Sequence, residues 1–189
     1  MNTFYITLLR GINVGGKNVI KMEQLKQVFE DMGFSDVKTY IQSGNVIFRT
    51  SESDKQILTD RIEKQLHESF SAEIKTMVLT SDDLAEAVEN APENFGEEPE
   101  KFRYDVWFLL PPTTVNDVVL NIRLREGVDF MQTGKNVIYT SRLTSQMNKS
   151  YFSKIMQTQI SKSFTIRNWN TTITLLELIN KIINKCFAN

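Results

Sequence analysis

The segment Arg10-Gly11-Ile12-Asn13-Val14-Gly15-Gly16-Lys17-Asn18 gathers three glycines, two amide side chains and two cations in a short stretch. Glycines let successive backbone N–H groups converge on an anion, and Lys17 adds a point charge, so this loop has the chemistry of an anion site. Gly11, Gly16 and Lys17 meet the P-loop spacing G-x-x-x-x-G-K, but Asn18 stands where a Ser or Thr hydroxyl would hold Mg²⁺. Helical periodicity begins only at Met22, and no strand ends in an Asp able to serve the metal, so the P-loop reading is set aside.

Two further clusters carry the same residue types. One is the turn Gln42-Ser43-Gly44-Asn45. The other comprises Arg142 to Lys149 and Arg167-Asn168-Trp169-Asn170, the latter at the junction of the last strand and last helix. A helix N-terminus beside a guanidinium and an indole suits a phosphate or carboxylate. Equally, Asn170 or Thr171 can simply cap the helix while Trp169 plugs the gap under it. Both readings stay open at this level.

The expected ligand-binding set is Arg10, Asn13, Gly15, Gly16, Lys17, Gln42, Ser43, Asn45, Arg142, Arg167, Asn168, Trp169 and Asn170. These are donors and bases with no acid among them, which suits holding an anionic, phosphate-bearing small molecule better than general acid–base work. The expected site is one cleft formed by loop 11–18, turn 42–45 and junction 167–170. An enzyme acting on such a ligand, using Ser43 or Lys17, is the alternative, although no Ser/His/Asp set or carboxylate pair is legible. One cysteine and one histidine exclude a disulfide framework and a structural zinc site, so no metal is expected, and the cofactor is unknown. Cys186 falls in register with Ile179, Ile182 and Ile183, which predicts a packed thiol. His67 reads as a surface residue.

These side chains need a scaffold, and periodicity supplies one. Phe4 to Leu9 is a strand. Met22, Leu25, Val28, Phe29 and Met32 recur at helical spacing and stop at Gly33. Val37 to Ile41 and Asn45 to Thr50 form a hairpin, Ser53 and Gln56 open a helix bearing Ile57 to Phe70, and Glu73 to Leu79 closes a βαββαβ unit. A helix capped by Thr80 and Asp83 and an acidic connector, residues 92–101, follow. The pattern then repeats: strand Tyr104 to Leu110, a helix from Thr114 ended by Gly127, hairpin Val128 to Ser141, helix Tyr151 to Ile160 and strand Phe164 to Arg167. A helix from about Thr172 to Phe187 ends the chain.

The repeat is visible in letters. Tyr40-Ile41-Gln42-Ser43-Gly44-Asn45-Val46-Ile47-Phe48 matches Phe130-Met131-Gln132-Thr133-Gly134-Lys135-Asn136-Val137-Ile138-Tyr139 with Lys135 inserted. The expected fold is therefore α+β, a duplicated βαββαβ of two ferredoxin-like antiparallel sheets with helices on one face, plus a C-terminal helix. The expected organisation is residues 1–80, a helix and connector over 81–101, and 102–189. Only the first unit has the long Gly-rich loop after its first strand.

Leu8-Leu9-Arg10-Gly11-Ile12-Asn13-Val14-Gly15-Gly16-Lys17-Asn18, Tyr40-Ile41-Gln42-Ser43-Gly44-Asn45-Val46 and Thr165-Ile166-Arg167-Asn168-Trp169-Asn170-Thr171 closely resemble the signature segments of the bacterial domain-of-unknown-function family 1697. The resemblance spans essentially the whole chain, with three motifs in order. It implies two ferredoxin-like subdomains and no settled activity.

The net charge of -1 hides segregation: residues 81–100 hold eight acids and no base, whereas 101–189 hold twelve bases and five acids. The basic stretch and the RNA-domain-like fold make nucleic acid a further alternative partner. Against it, neither Asn45-Val46-Ile47-Phe48-Arg49 nor Asn136-Val137-Ile138-Tyr139-Thr140 has the aromatic and glycine pattern of RNA-recognition strands. No apolar run approaches the roughly 20 residues of a membrane span, and the N-terminus lacks a signal-peptide pattern, so a cytoplasmic protein with no membrane partner is expected. Oligomeric state is not legible.

Overall fold

The computed structural model describes residues 2–14 and 18–187. The chain divides into two units, residues 1–84 with 175–189, and residues 85–174.

In the first unit β1 (Thr3–Leu9), β2 (Ser35–Tyr40), β3 (Asn45–Thr50) and β4 (Thr76–Thr80) form an antiparallel sheet in the order β2-β3-β1-β4. Two helices, α1 (Met22–Asp31) and α2 (Lys55–Phe70), supply Leu25, Phe29, Leu58, Ile62 and Leu66, all completely buried against Tyr5, Val46, Phe48 and Val78 of the sheet. Each such side chain contributes roughly 1.5–3 kcal/mol of transfer free energy. The opposite face is apolar and buried as well: Ile6, Leu8 and Ile47 are inaccessible to solvent. Burial on both faces explains why Phe4 to Leu9 carries apolar side chains on both faces, with Thr7 buried among them, and does not alternate.

Caps mark several boundaries. Asp54, not Ser53, caps α2, its Oδ1 accepting from the N–H groups of Gln56 (2.7 Å) and Ile57 (3.2 Å); a carboxylate is the stronger acceptor at a helix N-terminus. Thr80 and Asp83 form the expected reciprocal box at α3 (Ser81–Glu89): Asp83 N–H donates to Thr80 Oγ1 (3.0 Å), and Thr80 N–H to Asp83 Oδ2 (2.8 Å). Burial works to raise the Asp83 carboxyl, but the bonds from Thr80 and Lys55 outweigh it and hold it below the ordinary 3.8. Such a group adds stability above the unfolded carboxylate range that is lost as pH falls through its lower folded value. Asp83→Asn is accordingly expected to cost about 1 kcal/mol at neutral pH, and much less in acid. Urea titrations across pH read this directly; a cost that stays constant with pH contradicts it.

The second unit repeats the topology. β5 (Phe102–Leu109), β6 (Asp129–Thr133), β7 (Val137–Leu143) and β8 (Phe164–Asn168) pair in the order β6-β7-β5-β8. Its helices are reduced to α4 (Val115–Val119) and α5 (Phe152–Ile155), the latter flanked by 3₁₀ segments Thr144–Lys149 and Gln159–Ser163. The predicted helix from Tyr151 to Ile160 is thus a single turn. The last helix, α6 (Trp169–Phe187), begins three residues earlier than periodicity suggests, because Asn168 Oδ1 accepts from Asn170 N–H (3.1 Å) and caps it there. Leu175 and Ile179 are buried, but Cys186 is exposed, its Sγ 3.8 Å from Arg49 Nη1, so the expected packed thiol is not found.

The duplication holds for topology, yet the shared hairpin string is out of phase. The closing pairs are Tyr40 with Asn45 and Thr133 with Ile138. Gly44 therefore ends its turn, whereas Gly134 begins the other. Inserting Lys135 shifts the second strand by one residue, which moves each side chain to the other face. Phe48 packs among the helices of its unit, while its letter partner Tyr139 turns the other way, its hydroxyl donating to Ala87 O (2.8 Å).

Candidate functional site

In the first unit β1 and β2 both run antiparallel to β3, so the end of β1 and the β2–β3 turn share an edge of the sheet. Leu9 N–H donates to Gly44 O (2.7 Å) there. The loop leaving β1 is pegged into the core by Ile12 and Ile20, which are 1% and 4% exposed. Between the pegs it turns through Asn13 and Asn18, with φ of 54° and 46°, a left-handed conformation that asparagine tolerates better than most residues.

Asn13 works as a staple. Its Nδ2 donates to Ile20 O (3.0 Å) and Gln42 O (2.8 Å), and its Oδ1 accepts from Ile20 N–H (2.8 Å). Asn18 Nδ2 donates to Gly11 O (3.2 Å). Asn45 is fully buried and donates to Tyr40 O and Ser43 Oγ, both at 3.0 Å. Thus Arg10, Asn13, Gln42, Ser43 and Asn45 come together, with the amides of Asn13 and Asn45 engaged in shaping the backbone. Gly15, Gly16 and Lys17 lie outside the described residues.

Arg10 differs from these amides. It is half-buried at the end of β1, its backbone N–H donates to Lys75 O (2.9 Å), and its guanidinium makes no ion pair among the described residues. Burial alone holds its pKa below the ordinary arginine value. Lys75 beside it is occupied by Glu63 at 2.6 Å.

In the second unit the predicted cluster divides between the two faces of the sheet. Register sets Arg103 opposite Arg142 and Asp105 opposite Asn168, placing these four on the helix-bearing face. Arg167, one residue before Asn168 on β8, points the other way. It is buried, and desolvation pulls its pKa down to about 10; two of its hydrogen bonds run to Thr165 Oγ1 (3.0 Å) and Ile166 O (2.9 Å). Trp169 packs edge-to-face on Phe95, which also meets Tyr104 and Tyr139. Asn168 Nδ2 donates to Tyr104 O (2.9 Å), so both ends of that amide are engaged, and Asn170 is exposed.

Arg142 joins a group that includes two residues missed in the sequence. Asp105, 1% exposed, receives Arg142 Nη2 at 2.8 Å and Arg103 Nε at 3.0 and 3.2 Å. A cavity of about 240 Å³ opens beside them. The available signal was a carboxylate inside the apolar run Tyr104-Asp105-Val106-Trp107, a position where an acid is almost never buried unpaired.

Among the described residues no group of three or more His, Cys, Asp or Glu could hold a metal ion, and no helix is long and apolar enough to cross a membrane. A solved structure of the same architecture is that of the conserved bacterial protein SP0830 from Streptococcus pneumoniae, 26% identical in sequence. The likeness covers 94% of this chain and 98% of that one, with a TM-score of 0.81. No curated protein matches the sequence. The family model described as "Protein of unknown function (DUF1697)" matches residues 1–139, and the chain belongs to that family.

Proposed function

We propose that this protein binds an anionic, phosphate-bearing small molecule at the edge of the first unit where the loop after β1 meets the β2–β3 turn. The observation that carries the reading is Arg10: a half-buried guanidinium whose charged form is already disfavoured by desolvation and which has no carboxylate partner among the described residues. An arginine in that state gains from a bidentate anion, whose oxygens match its planar fork. The described parts of the surrounding loop are tied by amide staples, Asn13 to Ile20 and Gln42 and Asn18 to Gly11. Such preorganisation lowers the ordering cost of binding.

The test is a thermal-shift screen of the full chain against inorganic pyrophosphate, nucleoside phosphates and sugar phosphates at low ionic strength. A compound present at about 100 times its Kd adds about 2.7 kcal/mol of stability, or a shift of roughly 5–11 °C for a chain of this size. Arg10→Ala is expected to remove the shift while leaving the unliganded Tm nearly unchanged, because the side chain makes no hydrogen bond to the described protein. No shift with any phosphate compound, or an equal shift in Arg10→Ala, overturns the proposal.

A further inference from the structure

The second unit holds an arginine pair that its own protein groups leave half-used. In the first unit a 16-residue α2 covers the sheet; in the second the corresponding cover is the single turn α5. The strand ends left open carry Arg103 and Arg142, directly opposite each other in register, with Asp105 beneath. Like charges facing across an antiparallel pair repel; Asp105 lies between the two guanidiniums, and Asp129, opposite Arg142 on β6, has its Oδ2 taken by the N–H groups of Arg125 and Tyr151. Asp105 takes one N–H from Arg103 and one from Arg142. The remaining guanidinium N–H groups have no side-chain or backbone partner among the described residues, although the Arg142 side chain is only 17% exposed.

The walls of the 240 Å³ cavity restrict what can complete this group. Trp107 and Phe152, 2% and 3% exposed, form an apolar floor, and Met156 closes one side. The Asn168 amide is held at both ends, by Tyr104 O and by Asn170 N–H, and the Ser153 hydroxyl donates to Ser150 O. The charged donors free for a ligand are therefore those of the two arginines, over an apolar base. With Asp105 and Asp129 already set against the two guanidiniums, the unused N–H groups suit a monoanion, and a phosphate dianion meets the greater repulsion. The volume falls below the roughly 300 Å³ at which drug-sized pockets begin, so the occupant is small.

We propose that this cavity is a second binding site, independent of the phosphate reading, for a small monocarboxylate with an aromatic or branched apolar body. Its carboxylate sits between Arg103 and Arg142, and its body lies on Trp107 and Phe152.

The experiment is calorimetric titration of the full chain with phenylacetate, and with phenylphosphate for comparison, followed by ¹H–¹⁵N spectra. Saturable phenylacetate binding is expected, with the Trp107 indole resonance moving and that of Trp169 unmoved. Arg142→Gln should weaken it by about tenfold or more. Met156→Trp, at a position 48% exposed, should abolish it by filling the cavity with the charges intact, and decides the matter if Arg142→Gln does not fold. Arg10→Ala should leave the titration unchanged, so failure here is distinct from failure of the phosphate site. Absence of saturable binding, tighter binding of phenylphosphate, or unchanged affinity in both cavity variants overturns the proposal.

Discussion

Replacing Gly44 by alanine is expected to destabilise the protein by about 2–5 kcal/mol, a Tm loss of roughly 4–20 °C. Two effects add. Gly44 has φ of 75°, where a side chain costs about 1–2 kcal/mol. A methyl there would also stand 2.7 Å from Ile12 Cδ1 and from Leu9 Cβ. The Leu9 atom belongs to the rigid frame of β1 and cannot withdraw, so Ile12 must move. Overpacking of this kind costs typically about 1–3 kcal/mol. Gly33→Ala separates the two effects, since Gly33 has φ of 77° with nothing within 4 Å of the added carbon. If chemical denaturation finds both variants equally destabilised, the contact with Ile12 is not the cause. Because Ile12 pegs the loop that follows Arg10, Gly44→Ala should also blunt the phosphate response of the folded protein.

Trp169→Ala is expected to cost about 3–5 kcal/mol, the usual range for removing a buried Trp. The indole is 8% exposed and packs edge-to-face on Phe95 at 5.1 Å. Gly96 lies against it so closely that an added methyl would approach its Cδ1 and Nε1. Gly96→Ala is therefore a second, opposite perturbation of the same contact, too much volume instead of too little, and should destabilise as well. These two results would identify Trp169 as the plug beneath the start of α6. A Trp169→Ala variant that keeps its Tm while losing affinity for an anion would return the indole to the ligand.

The elements, their order and the duplication were legible in the sequence because each depends on residues close together in the chain. The boxes at Thr80–Asp83 and Thr114–Asp117 form within one turn, and the apolar spacing of α1 and α2 is a local property of the helix. The loop and hairpin turn could be placed at one sheet edge, since antiparallel pairing of β1 and β2 with β3 makes β1 and β2 parallel. Tertiary structure alone decided how the polar side chains are used. Asn13 reaches Gln42 and Asn168 reaches Tyr104, partners 29 and 64 residues away, and residue type does not say whether an amide faces a ligand or a carbonyl. It also decided the faces: Asn168 and Arg167 are neighbours in the chain and lie on opposite sides of their sheet. The inserted Lys135 reversed a hairpin whose letters match. The Arg103–Asp105–Arg142 group arises from strand register, and register is set by pairing between distant segments, where a one-residue slip exchanges core for surface.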